Sequence, residues 1–169
     1  MPFRVGIGYD VHSFYPEVCS DAYLTICGVK VPHTKRIRAH SDGDVGIHAL
    51  VDALLGCIGE DGIGKHFSDL DPEWKNANSS HFLLHAHKKV LELGYKVLNF
   101  DIVLVCEFPK ITPHVPIMKQ FLADLLQLDI SRTNIKAVTS EKLGFIGREE
   151  GIAAHAVALC QQVSHSVTR

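Results

Sequence analysis

The chain has 169 residues, of which 46% are hydrophobic and 21% charged, with a formal net charge of −2 at pH 7. That length predicts a single domain over residues 1–169, able to bury about 70% of its unfolded surface without staples, and the apolar fraction excludes a disordered chain. No apolar run reaches the ~18 residues of a membrane span, Met1–Asp10 lacks the cationic-then-apolar order of a signal peptide, and the near-neutral charge argues against a nucleic-acid or membrane-surface partner, so a cytoplasmic protein is expected.

In chain order, Phe3–Asp10 reads as a strand with Val5 and Ile7 on one face, running into Val11-His12. Tyr23–Ile26 and Val29–Val31 read as a hairpin turning near Gly28. Asp44–Ile58 is a helix, opened by the capping-box pattern of Ser41-Asp42-Gly43-Asp44. Gly59–Asn78 is a long loop of glycines and acids, a length that usually carries function. Ser80–Leu93 is a helix stopped by Gly94, and Tyr95–Cys106 a strand. A helix starts at Thr112-Pro113 and ends near Leu128, Asn134–Val138 is a strand, and Glu149–Val163 is a last helix. This alternation predicts an α+β or α/β sandwich with one helical layer.

Cys19, Cys27, Cys57, Cys106 and Cys160 form no C-x-x-C pair, so a disulfide framework and a thiolate zinc site are both disfavoured and a metal falls to His, Asp or Glu. Gly59–Lys65 matches the phosphate-loop pattern G-x-x-x-x-G-K, but His66 stands where the metal-binding hydroxyl belongs and a helix precedes it instead of a strand. His81 and His85 have ligand spacing on their helix, yet they fall opposite Phe82, Leu83, Ala86 and Val90, beside Lys88 and Glu92, which favours a solvated face. His87, His155 and His165 have no partner in their patterns.

Asp10 and His12 are two apart in extended chain, so both side chains project to one face. His48 lies within two turns of a capped helix start in His40-Ser41-Asp42-Gly43-Asp44-Val45-Gly46-Ile47-His48. Together Asp10, His12 and His48 can make a two-histidine, one-carboxylate site for zinc or another divalent ion with a position left open for substrate; the alternative is that His48 is a satisfied core histidine. A third run, Val138–Gly151, packs glycines, hydroxyls, acids and bases between a strand and a helix, with Arg148 at the helix start. It is either a plain polar connection or a phosphate- and magnesium-handling loop.

The runs Gly8-Tyr9-Asp10-Val11-His12, His40-Ser41-Asp42-Gly43-Asp44-Val45 and Thr139-Ser140-Glu141-Lys142-Leu143-Gly144-Phe145-Ile146-Gly147-Arg148 resemble, in order and spacing from Phe3 to Cys160, the 2-C-methyl-D-erythritol 2,4-cyclodiphosphate synthase family. The resemblance implies an α+β, ferredoxin-like sandwich with a mixed sheet and one helical layer, assembled as a homotrimer with active sites between subunits. It implies that 4-diphosphocytidyl-2-C-methyl-D-erythritol 2-phosphate closes to the cyclic diphosphate and releases CMP. By position, Asp10, His12 and His48 hold zinc, Glu141 holds Mg2+ or Mn2+ on the substrate phosphates, and His40 and Thr139 stabilise the transition state. Substrate contacts carry over to Ser41, to Gly62, Ile63 and Gly64, to Phe67, Ser68, Asp69, Leu70 and Asp71, and to Val138, Ser140, Phe145 and Arg148. The cytidine loop is Cys106, Glu107, Phe108, Pro109, Lys110, Ile111 and Thr112, acting largely through backbone groups.

One position departs from the family pattern: Gly62 stands where an aspartate is expected to bind the erythritol hydroxyls. Asp61 can take over that contact through a shifted loop, or the contact is absent. A divalent-metal phosphohydrolase and a non-catalytic module binding a small phosphorylated metabolite are the competing readings of the same residues.

Overall fold

A strand of 16 residues, β1 (Phe3–Val18), opens the fold, and the computed structural model describes residues 2–67 and 72–163. β1 runs past His12 because its far end pairs antiparallel with β4 (Lys35–Ile37). Between them β2 (Tyr23–Ile26) and β3 (Val29–Pro32) form the expected hairpin as a separate two-stranded sheet, turning through Cys27 and Gly28, both at positive φ. The helices are α1 (Val45–Ile58), the short α2 (Ile63–His66), α3 (Ser80–Glu92), α4 (Val115–Leu126) and the short α5 (Gly144–Gly147). The strands β5 (Tyr95–Val105), β6 (Thr133–Val138) and β7 (Gly151–Gln162) complete a five-stranded sheet in the order β4-β1-β7-β5-β6. Only β5 and β6 pair in parallel, so the sheet is mixed and the fold is α+β.

Three local expectations are corrected. Glu149–Val163, expected as a helix, is strand β7 at the centre of the sheet. Its alanines favour a helix in isolation, but Ile152, Ala154, Ala156, Ala158 and Cys160 are buried while His155 and Val157 are exposed. That two-residue period, with ladders on both sides, outweighs propensity. Consequently Arg148 stands at the C-terminal end of α5, its N–H bonded to the Gly144 carbonyl, and not at a helix start. At α1 the cap is Asp44 and not Ser41: the Asp44 carboxylate accepts from Ile47 N at 3.0 Å, and from Cys27 N and Gly28 N at 2.8 and 2.6 Å. One buried side chain thereby ties the hairpin turn to the helix. At Thr112, a short 3-10 turn over Thr112–His114 precedes α4.

The helices cover one face of the sheet. α1 lies on β1 and β7 so closely that a Cβ built on Gly8 would stand 1.9 Å from the Ala49 carbonyl oxygen, and one on Gly6 1.9 Å from that of Ala53. The opposite face leaves Val5, Ile7, Tyr9 and Val157 exposed, Ile7 at 75%. Among the described residues no helix is long and apolar enough to cross a membrane.

Candidate metal centre and active site

The glycines of β1 set the first half of the site. Gly6 and Gly8 let α1 down onto the strand, and the next residues on that face, Asp10 and His12, then meet His48 on the first turns of the helix. Asp10 Oδ2 lies 3.0 Å from His12 Nε2 and 3.0 Å from His48 Nδ1, and those two nitrogens are themselves 3.0 Å apart. Among the described residues this is the one group of metal-ligating side chains whose donor atoms all lie within 4.8 Å of one another. Burial pushes the Asp10 carboxyl up, but the hydrogen bonds and charges of His12 and His48 outweigh it and hold the group well below the usual carboxylate range. For His48 burial acts downward, and the Asp10 carboxylate raises it overall.

The other side of His48 carries a relay that the sequence did not announce. His48 Nε2 is 2.8 Å from Ser79 Oγ and 3.3 Å from Ser41 Oγ. Ser79 Oγ donates in a short hydrogen bond to Asp42 Oδ1, and Ser79 N donates to Asp42 Oδ2 at 3.0 Å. With the Ser79 hydroxyl proton given to Asp42, Ser79 Oγ is left to accept from His48 Nε2–H. The Nδ1 lone pair is thereby left facing Asp10 and His12, as a metal ligand requires. Asp10, His12 and His48 therefore fit a metal ion, by donor chemistry, by mutual distance and by this backing. His48 is buried with both ring nitrogens bonded, as a core histidine is, but its Nδ1 meets two further ligating groups. Ser79 occupies the N-cap of α3, yet its side chain makes no cap bond and is spent on Asp42 and His48.

Around the triad, His40, Ser41, Ile63, Gly64, Phe67, Trp74 and Phe82 line a cavity of about 260 Å³. Gly62 and Asp61 are exposed and stand outside it, and Ile63 N is held by Asp52 Oδ1 at 2.7 Å. Ser68, Asp69, Leu70 and Asp71 lie outside the described residues, as does His165. His81 is exposed as expected, but His85 is half-buried with its ring 4.9 Å from Phe67, so it is not part of a solvated face. The sequence Gly59–Lys65 follows α1 directly and builds no phosphate loop.

The second group of expected residues gathers where β5 and β6 end. Cys106, Pro109, Lys110, Ile111, Thr112, Val138 and Thr139 line a separate cavity of about 160 Å³. Glu141 is exposed, 3.4 Å from the Thr139 hydroxyl. Glu107 and Ser140 bond each other at 3.0 Å, Phe108 is 42% exposed, Phe145 is 41% exposed, and Arg148 pairs with Glu150 at 2.9 Å. No residue lines both cavities.

An α+β sheet bearing a two-histidine, one-carboxylate group fit for a metal ion, with a hydroxyl-rich turn at a separate cavity, is the architecture of a candidate metal-assisted enzyme. More narrowly, the chain belongs to the YgbB family, whose model matches residues 3–161. It is 63% identical over 163 residues to a protein of Anaplasma phagocytophilum named 2-C-methyl-D-erythritol 2,4-cyclodiphosphate synthase, covering 96% of this chain and 97% of that protein. Among solved structures it is similar to the bifunctional IspDF of Campylobacter jejuni (TM-score 0.89, 40% identity), covering 96% of this chain and 43% of that one. It is similar too to the CDP complex of Plasmodium falciparum IspF (TM-score 0.83, 32% identity, 96% of this chain and 98% of that one).

Proposed function

We propose that residues 1–169 act as one cyclodiphosphate synthase domain. It converts 4-diphosphocytidyl-2-C-methyl-D-erythritol 2-phosphate to 2-C-methyl-D-erythritol 2,4-cyclodiphosphate and CMP, in the non-mevalonate isoprenoid pathway. The observation that carries this reading is the Asp10–His12–His48 triangle, with three mutual distances of 3.0 Å, in a chain of the YgbB family.

The reaction is an intramolecular displacement: an oxygen of the 2-phosphate bonds to the β-phosphorus, and the bond from that phosphorus to the CMP oxygen breaks. Because both reactants belong to one molecule, the protein's work is positioning and charge stabilisation. Asp10, His12 and His48 would hold Zn2+, and Glu141 would hold Mg2+ or Mn2+ together with the substrate phosphates. When bound, these cations neutralise phosphate charge that otherwise repels the incoming oxygen. His40 and the Thr139 hydroxyl donate hydrogen bonds to the transferring phosphoryl oxygens. Ser41, Ile63, Gly64 and Phe67 wall the erythritol end, and backbone groups of Cys106–Thr112 take the cytidine, with Val138, Ser140, Phe145 and Arg148 at its margin.

The ferredoxin-like plan and the homotrimer of the resembling family are part of this reading. Two features support assembly: the apolar residues Val5, Ile7 and Tyr9 on an uncovered sheet face, and two cavities that share no residue within one chain. Five free thiols with no disulfide support the reducing cytoplasm as its compartment.

A product assay tests the reaction. CMP and the cyclic diphosphate in equal amounts are expected; inorganic phosphate would mean a phosphohydrolase, and binding without turnover a non-catalytic module. Sedimentation tests the assembly, since chains of 18.7 kDa should travel as a trimer and lose activity when diluted to monomers.

A further inference from the structure

β5 and β6 run parallel and release their C-terminal loops on the same side, joined at the exit by Cys106 N donating to the Val138 carbonyl at 3.0 Å. The residue after Cys106 is Glu107, half-buried on the loop read above as the cytidine loop. Its side chain does not line the cavity there. It turns instead to the neighbouring loop, where Oε1 accepts from Ser140 N at 3.0 Å and from Lys142 N at 3.0 Å, with the Ser140 hydroxyl 3.0 Å away.

Between those two backbone donors sits Glu141. Glu141 and Lys142 are consecutive residues in the left-handed region, at φ 54° and 62°. Side chains bearing a Cβ rarely adopt that conformation, so such a turn persists only where its surroundings impose it. The turn also decides how Thr139 and Glu141 face each other: Glu141 N donates to Thr139 Oγ1 at 3.3 Å, and that hydroxyl lies 3.4 Å from Glu141 Oε1. Glu107 is the one side chain from the adjacent loop that bonds to this turn among the hydrogen bonds of the described residues. An ionised acceptor suits the task, because charge strengthens each bond to a backbone N–H. The Lys142 N–H, and then the hydroxyl and N–H of Ser140, hold the Glu107 carboxyl below its usual range.

We infer that Glu107 is a positioning residue: it fixes the Thr139–Glu141 turn from the cytidine loop, and so presets the divalent-cation arm of the site from the nucleotide arm. The inference rests on the reading under the previous heading for what the two loops bind. It assigns Glu107 no contact with the nucleotide itself.

The test uses zinc-saturated wild-type protein, Glu107→Ala and Glu107→Gln, with CDP and Mn2+ as probes. The glutamine keeps an oxygen that accepts the same N–H bonds, whereas alanine removes it. In Glu107→Ala, CDP affinity without added Mn2+ should stay within about twofold of wild type, while Mn2+ affinity at saturating CDP falls roughly tenfold, the scale of one charge-assisted hydrogen bond. kcat should fall with little change in KM, and Glu107→Gln should recover most of both losses. Unchanged Mn2+ affinity in Glu107→Ala overturns the inference. So does a parallel fall of CDP and Mn2+ affinity that glutamine does not rescue, because that marks a general structural role. The binding readouts need no turnover: a wild-type protein that binds both probes and forms no cyclic product sinks the proposed reaction, and the Glu107 result still stands or falls separately.

Discussion

Asp10, His12 and His48 project from one strand and one helix whose contact is set by two glycines, and Ser79 and Asp42 fix the ring of His48 from behind. Thr139 and Glu141, by contrast, stand on an exposed turn of left-handed residues held across a gap by Glu107. The first region is defined by core packing, the second by a few bonds that solvent can reach. Local stability is not uniform within a fold, and elements that must adapt to a ligand come from its weaker end. Substitutions in the first region should therefore register in metal content, and those in the second in turnover.

The largest effect tests the first half of that contrast. His48→Ala removes a ligand outright and should lower zinc affinity by more than the roughly 10–100-fold typical of losing a supporting hydrogen bond. Activity should vanish with the metal, while circular dichroism shows the fold retained. A variant with full zinc and normal turnover would break the ligand assignment.

Glu141→Gln comes next and tests the second half. Magnesium and manganese are hard cations that prefer carboxylate oxygen. Turnover should drop on the order of a hundredfold, the scale of removing one group that acts on developing charge, with zinc content unchanged. Parallel zinc loss would place Glu141 in the buried centre and erase the contrast. Ser79→Ala sharpens it further: zinc should bind about 10–100-fold more weakly, measured by chelator competition, while kcat at saturating zinc stays close to wild type. A fall in kcat at full zinc occupancy would mean that Ser79 acts on the reaction and not through His48.

The same contrast explains what the sequence disclosed. Asp10 and His12 are legible because alternation along a strand is a local rule, whereas the close approach that Gly6 and Gly8 permit shows only in the fold. The helix carrying His48 is legible from the capping pattern ahead of it, although its cap is Asp44 because burial against the hairpin turn selects the residue that can hold Cys27 and Gly28 as well. β7 misleads because its small residues answer to α1 above them, not to neighbours in sequence. Ser79 and Glu107 are the least legible, since their partners lie 31 and 33 or more residues away and only the finished fold brings them together.

The smallest effects concern the departure at Gly62. Its backbone, at φ −68° and ψ 172°, is extended and admits any side chain, so the glycine is not there to relieve a turn. What limits the position is Asp52: a Cβ on Gly62 would stand 3.2 Å from Asp52 Oδ1, the oxygen that accepts from Ile63 N. Burial already raises the Asp52 carboxyl above its usual range, and a second carboxylate beside it would add repulsion. Gly62→Asp should therefore displace the Ile63–Gly64 wall and raise KM several-fold, about what a bond worth ~1 kcal/mol implies, instead of restoring the family contact. Asp61 is exposed and outside the cavity, so Asp61→Ala should change kcat/KM by less than about twofold, as surface substitutions away from special features do. Steady-state kinetics of the two variants decide between the structure and the shifted-loop expectation. A tenfold loss in Asp61→Ala would mean that the loop moves Asp61 onto the substrate, and an improved Gly62→Asp would mean that Asp52 yields its place.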